Sequence, residues 1–147
     1  MKIPPFTLDR QFQEIGSEIE TEVLKVLKGG QYIGGREIVK FEENFSSLIG
    51  VRNTIGCNSG TDALILALRA LDIGKGDEVI TSSFSFFATA EAISAVGANP
   101  IFVDIDPETY LINTELIEKA INPNTKAIMP VHLFGNAVNM NLINLLA

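Results

Sequence analysis

A short polar turn, Cys57-Asn58-Ser59-Gly60-Thr61-Asp62, runs directly into an apolar helical pattern and has the composition of an anion-binding site. The first backbone N–H groups of a helix have no intrahelical partner, and the helix dipole adds partial positive charge there. Phosphate is the natural ligand of such a turn. Ser59 and Thr61 add hydroxyl donors, and Gly60 permits close approach. The alternative is an ordinary N-cap formed by Ser59 or Thr61, with Asp62 favourable in the first turn.

A second stretch that could contact a ligand is the loop 82–87, in which serines alternate with Phe84, Phe86 and Phe87. Three aromatic residues after a strand can all belong to a core. An exposed ring beside an anion site, however, can stack on a flat heteroaromatic ligand.

The remaining residues of chemical interest favour structural roles. Asp104 and Asp106 could form a metal-binding pair, but Asp followed by Pro after a strand is more typical of a turn.

His132 is the only histidine and lies at the end of an apolar strand. A structural role is expected first, a substrate contact stays open, and no serine pairs with it as in a Ser-His-Asp triad. Cys57 is interpreted as a small buried residue, and a single cysteine excludes an intramolecular disulfide.

Composition indicates a folded protein that binds neither nucleic acid nor an anionic membrane surface. The 147 residues are 46% hydrophobic and 20% charged, and the formal net charge is −7. No basic run is present, which argues against binding to nucleic acid or to an anionic membrane surface. No apolar run has the roughly 18 residues of a membrane span, and the amino terminus lacks a signal-like apolar core. We therefore expect a cytoplasmic protein.

The elements that must position these residues begin with two amphipathic helices. Apolar residues recur at helical spacing over 12–27 and 38–49, and glycines follow both patterns. The stretch 31–35 between them favours an inter-helix loop, in which Tyr32 lies between glycines and could line a pocket. It does not fit a dinucleotide-binding GxGxxG motif.

From residue 53 onward, strands alternate with helices about every 25 residues, which is the rhythm of βαβ units. The predicted strands cover 53–57, 78–81, 100–105 and 127–132. The pattern indicates an α/β fold with a mostly parallel sheet flanked by helices. Ligands of such sheets collect at the carboxyl ends of the strands, so the loops after Cys57, Thr81 and Val131 should open on one edge. We divide the chain into a helical segment, 1–52, and an α/β domain, 53–147.

Six motifs occur here in the order in which a known enzyme family carries them. They are Asn58–Leu64, Gly76–Ile80, Phe86–Ile93, Gly97–Asp104, Thr125–Ile128 and Pro130–Gly135. Together they resemble the amino-terminal part of the DegT/DnrJ/EryC1/StrS family of sugar aminotransferases, which are fold-type-I enzymes that use pyridoxal 5′-phosphate (PLP). The resemblance implies that residues 53–147 are an incomplete PLP-binding large domain.

The resemblance also implies roles for individual residues. Gly60 and Thr61, with the backbone of Asp62, match the phosphate-binding turn, and Phe86 matches the aromatic residue that stacks on the pyridine ring. Tyr32 matches an aromatic position near the active site. His132 falls in a family motif and is, with Tyr32, a candidate substrate-site residue. No catalytic residue and no metal ligand is assigned.

Amino transfer through PLP needs a lysine that forms a Schiff base and an acid that pairs with the pyridine nitrogen. In the family both lie further along than Ala147, and no lysine here is expected to reach the ring. We therefore expect an amino-terminal fragment of a nucleotide-sugar aminotransferase for polysaccharide or glycoside biosynthesis, inactive alone.

The complete enzyme would transfer an amino group from glutamate to a keto-sugar nucleotide, as a homodimer. Two alternatives stay open. One is a PLP-dependent sugar dehydratase of the same family, in which histidine replaces the lysine. The other is a non-catalytic truncated domain.

Overall fold

The structure is a computed structural model that describes Pro4 and residues 6–147. The chain consists of two compact units. Residues up to Gly56 form the first, called here the helical unit, and Cys57–Ala147 form the second, called here the α/β unit. No helix in the described part of the chain combines the length and the apolar character that crossing a bilayer requires.

The helical unit consists of the two helices that the sequence predicts. Helix α1 spans Asp9–Gly29 and helix α2 spans Arg36–Ile49. Both end at a glycine in the left-handed conformation, Gly30 and Gly50, each with φ of +71°. Because a side chain is strained in that conformation, the two glycines mark the helix ends in the sequence. The loop predicted between the helices is confirmed.

The strand predicted over 53–57 is wrong, because this segment has no partner strand among the described residues. Side chains of α2 hold it instead. The Gly56 N–H donates to Oε1 of Glu42 at 2.7 Å, and the hydroxyls of Ser46 and Thr54 are 2.7 Å apart. A β-strand requires a neighbouring ladder, and apolar composition alone does not supply one.

The α/β unit alternates helices and strands as predicted. Its elements are α3 Gly60–Ala70, β1 Glu78–Ser82, α4 Ala88–Ala95, β2 Asn99–Val103, α5 Thr114–Ala120, β3 Thr125–Met129 and α6 Met140–Leu146, with a 3₁₀ turn over Leu133–Gly135. The three strands form a parallel sheet in the order β2-β1-β3. In register, Ile80 of β1 lies between Ile101 and Ile128.

Strands β2 and β3 end earlier than predicted. Beyond Val103, the carboxylate of Asp104 accepts the N–H of Ile105 at 2.8 Å, and Ile105 forms only an isolated antiparallel bridge with Ile112. Beyond Met129 comes Pro130, which has no N–H to donate to a ladder. In both places the backbone loses its ladder bonds although the sequence pattern predicts that the strand continues.

The sheet separates two hydrophobic layers. One layer joins Val79 of β1 to Leu68 of α3 and Ile93 of α4, and the other joins Ile80 of β1 to Ile117 of α5 and Ile143 of α6. Alternation along β1 thus sends neighbouring side chains to opposite faces. With helices on both faces, the three loops at the carboxyl ends of the strands and the start of α3 belong to one three-layer unit.

Candidate functional site

The turn at the start of α3 is held by a reciprocal pair, Ser59 and Asp62. Ser59 is the extended N-cap, and its Oγ accepts the Asp62 N–H at 3.0 Å. The same hydroxyl donates to Oδ2 of Asp62 at 3.1 Å. The Ala63 N–H donates to the Ser59 carbonyl at 3.0 Å. An N-cap at this turn is therefore confirmed, with Ser59 as the capping residue.

Two donors of this turn remain available for a ligand. The backbone N–H groups of Gly60 and Thr61 donate to no acceptor within the described part of the chain. A Cβ placed on Gly60 would meet no heavy atom within 4 Å, so the space beside the turn is open. The N–H of Asp62, which the resemblance also assigned to phosphate, is already bonded to Ser59. The free donors lie at the positive end of the α3 dipole, as anion binding requires.

The loop after β1 exposes the ring of Phe86, whereas hydrogen bonds constrain the loop beside that ring. Phe84 packs against Tyr110, with ring centroids 6.1 Å apart. Phe86 is 79% exposed, its carbonyl accepts the Thr89 N–H at 3.1 Å, and the hydroxyls of Ser85 and Thr89 are 2.8 Å apart. The ring of Phe86 is thus free to stack on a planar ligand. The neighbouring Phe87 is exposed as well.

The two candidate substrate residues lie in different units. Tyr32 belongs to the loop of the helical unit, and its hydroxyl donates to the Leu27 carbonyl at 3.0 Å. His132 follows β3 in the α/β unit, and its Nδ1 accepts the Val138 N–H at 3.0 Å. Both side chains are exposed. Their contact with a substrate stays a prediction.

The acidic pair after β2 forms a turn. The Asp106 carboxylate accepts the Thr109 N–H at 2.8 Å, the Thr109 hydroxyl at 3.0 Å and the Glu108 N–H at 3.0 Å. These bonds, those from Thr109 foremost, lower the pKa of Asp106 because they stabilise the charged form. Among the described residues no three His, Cys, Asp or Glu side chains come together as a metal site.

Cys57 corrects one prediction, because its side chain is exposed and not buried. The interpretation as a buried residue depended on the strand predicted over 53–57, which does not form. The thiol instead donates a weak hydrogen bond to the Ser59 carbonyl, with Sγ 3.5 Å from the oxygen.

The lysines of the α/β unit lie away from the strands' carboxyl ends. Lys75 is in the turn before β1, Lys126 is the second residue of β3, and Lys119 is in the last turn of α5, which leads to β3. Lys2 lies outside the described residues. The turn at Gly60 and the ring of Phe86 therefore have no lysine assigned to them.

Sequence reasoning did not find one feature of this edge. Phe134, in the 3₁₀ turn after β3, has φ of +54° and is 90% exposed. An aromatic residue in the left-handed region is unusual and strained. The only signal in the sequence is the glycine that follows it, because Gly135 also has positive φ.

Comparison with known proteins identifies relatives along almost the whole chain. The family model for the DegT/DnrJ/EryC1/StrS aminotransferases matches residues 13–147. The UDP-2-acetamido-2-deoxy-3-oxo-D-glucuronate aminotransferase of Pseudomonas aeruginosa is 44% identical over 140 residues, which are 95% of this chain and 39% of that protein. The chain thus spans about two-fifths of that relative's length.

Solved structures agree with the fold. The crystal structure of Streptomyces venezuelae DesV in complex with a ketimine intermediate superposes with a TM-score of 0.95 at 39% identity, over 99% of this chain and 39% of that one. The structure of ntda from Bacillus subtilis with the bound cofactor PMP gives a TM-score of 0.94 at 39% identity, over 99% of this chain and 34% of that one. Similarity over nearly every residue, in sequence and in backbone, means that this chain belongs to the DegT/DnrJ/EryC1/StrS aminotransferase family.

Proposed function

We propose that this chain forms the amino-terminal part of a PLP-dependent nucleotide-sugar aminotransferase and supplies the phosphate end of its cofactor site. The observation that carries the proposal is the pair of unbonded N–H groups of Gly60 and Thr61 at the start of α3, in the same unit as the exposed ring of Phe86. The Pseudomonas relative, named as an aminotransferase of a UDP-sugar, and the PMP-bound structure of ntda support the choice of ligand and reaction.

In this proposal the residues bind and orient the cofactor. Gly60 and Thr61 donate their N–H groups to the phosphate, and the α3 dipole stabilises its charge. Phe86 covers one face of the pyridine ring. When bound, PLP supplies an electron sink for moving an amino group, a reaction that also needs a Schiff-base lysine. Within these 147 residues we assign that role to no lysine.

The same proposal includes the partners of the whole enzyme. The substrate is a keto-sugar nucleotide, the amino donor is glutamate, and the working form is a cytoplasmic homodimer. The names of relatives support a nucleotide sugar as the substrate class, and they include UDP-linked and dTDP-linked sugars. Tyr32 and His132 are proposed to contact that substrate.

A thermal-shift titration tests the cofactor site. PLP should raise the unfolding temperature of the chain, because a ligand that binds only the folded state stabilises it. Pyridoxal, which has the same ring without the phosphate, should give a smaller shift at equal concentration. Borohydride treatment should leave no stoichiometric lysine adduct. Equal shifts from PLP and pyridoxal would contradict the assignment of the phosphate to the α3 turn.

A pair of matched variants tests the stacking role. Phe86→Ala should reduce the PLP-induced shift and leave the unliganded unfolding temperature nearly unchanged, since the ring is already in solvent. Phe102→Ala is the control, because Phe102 is a half-exposed phenylalanine within β2. Equal PLP shifts for the two variants would remove Phe86 from the site.

A further inference from the structure

The loop that follows β3 is closed by an imidazole. His132 begins the loop and Val138 ends it, and the Val138 N–H donates to Nδ1 of His132 at 3.0 Å. Val138 is buried in the layer that also contains Ile117 and Ile143. The hydrogen bond therefore connects an exposed residue in the loop after β3 to a residue that is buried in the core.

The direction of this bond defines the state of the ring. A backbone N–H can only donate, so Nδ1 must accept with its lone pair and cannot carry a proton. The neutral imidazole then carries its proton on Nε2. Among the described residues Nε2 has no hydrogen-bond partner.

The closed loop holds a strained backbone. Phe134 has φ of +54°, a conformation that costs a non-glycine residue about 1–2 kcal/mol. Its ring is 90% exposed, so packing of that ring does not offset the cost. Four hydrogen bonds constrain the loop. The His132 carbonyl accepts the Gly135 N–H at 3.2 Å, and Nδ1 of His132 accepts the Val138 N–H. The Leu133 carbonyl accepts the Asn136 N–H at 2.9 Å, and Nδ2 of Asn136 donates to the Thr109 carbonyl at 3.3 Å. Two of these four bonds come from His132.

We infer that His132 is a positioning residue, whose unprotonated Nδ1 fixes the loop 132–138 and directs a single donor, Nε2–H, toward solvent at the carboxyl edge of the sheet. A group at this site can donate a hydrogen bond to an oxygen of a ligand through Nε2. It cannot accept a proton at Nδ1 without losing the Val138 bond. The inference depends on the loop alone and stands apart from the proposed cofactor site.

The first test reads the tautomer directly. A long-range ¹H–¹⁵N spectrum of the 147-residue chain in mildly alkaline buffer should show the Nε2–H form of His132, and the protein has no second histidine to confuse the assignment. A predominant Nδ1–H form would overturn the inference. This measurement needs no variant, so it remains informative if a substitution prevents folding.

The second test uses a conservative rescue. In His132→Asn the side-chain Oδ1 is as many bonds from the backbone as Nδ1, so an acceptor is kept, whereas in His132→Gln the oxygen is one bond further out. Exchange of the Val138 amide hydrogen should be slow in the parent and in His132→Asn. It should be about tenfold faster or more in His132→Gln, as expected for the loss of one hydrogen bond.

Equal Val138 exchange in the two variants would contradict the acceptor role. If His132 only filled space, the Val138 amide would not exchange more slowly in His132→Asn than in His132→Gln. Far-UV circular dichroism of both variants supplies the check that the α/β unit is folded. If circular dichroism shows that a variant is unfolded, the tautomer spectrum of the parent chain alone tests the inference.

Discussion

Apolar stripes on helices have opposite outcomes in the two units. In the α/β unit, Ile93 and Ile117 are completely buried, because the sheet presents an apolar face to each helix. In the helical unit, the apolar residues of α1 and α2 stay largely exposed, and Leu48 is 80% exposed. The helical pattern is as regular there as in the α/β unit, and it predicts both helices correctly.

The difference teaches that amphipathic periodicity defines a helix but not its burial. Most helical stability in proteins comes from packing of the apolar face. The α/β unit has such packing on both sides of its sheet, whereas the helical unit consists of two helices and one extended segment. We therefore expect interactions within the α/β unit to contribute most of the free energy of unfolding. The following pairs of variants test that expectation.

The largest difference should appear for core isoleucines. Ile117→Ala should reduce the free energy of unfolding by about 2–5 kcal/mol, because it removes a completely buried side chain and leaves a cavity. Ile19→Ala in α1 should cost about 1 kcal/mol or less, since this side chain is already substantially exposed. Urea denaturation followed by circular dichroism measures both. Similar costs would show that α1 contributes to a core as strongly as α5 does.

A second pair compares the same hydrogen bond in the two environments. The Thr81 hydroxyl is buried in β1 and donates to the Met129 carbonyl at 2.8 Å, and the exposed Thr21 hydroxyl donates to the Ser17 carbonyl at 2.8 Å. Thr81→Val should cost about 1–3 kcal/mol, because the partly buried Met129 carbonyl loses a donor. Thr21→Val should stay within about 0.5 kcal/mol. A cost for Thr21→Val that matches Thr81→Val would mean that α1 is shielded from water.

A third pair compares left-handed backbone positions. Gly50 ends α2 with φ of +71°, and an added Cβ would meet nothing within 4 Å, so Gly50→Ala tests conformation alone. It should cost about 1 kcal/mol. Phe134→Gly should be neutral or stabilising by up to about 1 kcal/mol, because relief of strain exceeds the added entropy of the unfolded chain. Thermal unfolding of both variants provides the measurement. Destabilisation by Phe134→Gly would show that the exposed ring has a packing partner.

The smallest effects concern two exposed carboxylates with lowered pKa values. In the α/β unit the pKa of Asp106 is lowered by hydrogen bonds from Thr109, and in the helical unit the pKa of Glu22 is lowered by the hydrogen bond and charge of Lys25, 2.6 Å away. A lowered folded-state pKa contributes stability that is present above the unfolded pKa and is lost as pH falls through the folded pKa.

The unfolding temperature should fall as the pH drops below about 4, where free carboxylates titrate. In Asp106→Asn and in Glu22→Gln this fall should be slightly smaller, because one carboxylate with a lowered pKa has been removed. Added salt should weaken the Glu22 contribution, because an exposed ion pair is screened, and should leave that of Asp106 nearly unchanged. Unfolding temperatures measured against pH at low and high salt separate the two. Equal salt sensitivity of the two contributions would mean that nearby charge, and not hydrogen bonding, lowers the pKa of Asp106.

Much of this molecule follows from local chemistry in the sequence. Helix ends at Gly30 and Gly50, the Ser59 cap and the strand-helix alternation after residue 76 all depend on residues near one another in the chain. The structure confirms the α/β fold, and the comparisons confirm the family. The roles proposed for Gly60, Thr61, Asp62 and Phe86 in cofactor binding stay predictions, as do those of Tyr32 and His132 in substrate binding.

What could not be predicted depends on partners distant in sequence or on side-chain geometry. The strand expected over 53–57 fails because its composition cannot reveal that no neighbouring strand is available. Bonding of the Asp62 N–H to Ser59 depends on a side-chain rotamer, and the exposure of Cys57 depends on a ladder that does not form. The left-handed Phe134 follows from the closure of a loop by His132, and no rule of composition anticipates it.

The order of strands in the sheet has a consequence for how the chain is made. Strand β1 is central, yet it is synthesised before both of its neighbours. Thr81 bonds to Met129, 48 residues later, so one edge of β1 stays open while β2 and α5 leave the ribosome. Contacts so distant in sequence form slowly, and an unpaired apolar strand is prone to associate with other chains in the meantime. Among the three strands of the α/β unit, the most deeply buried one is thus the one that waits longest for its partners during synthesis.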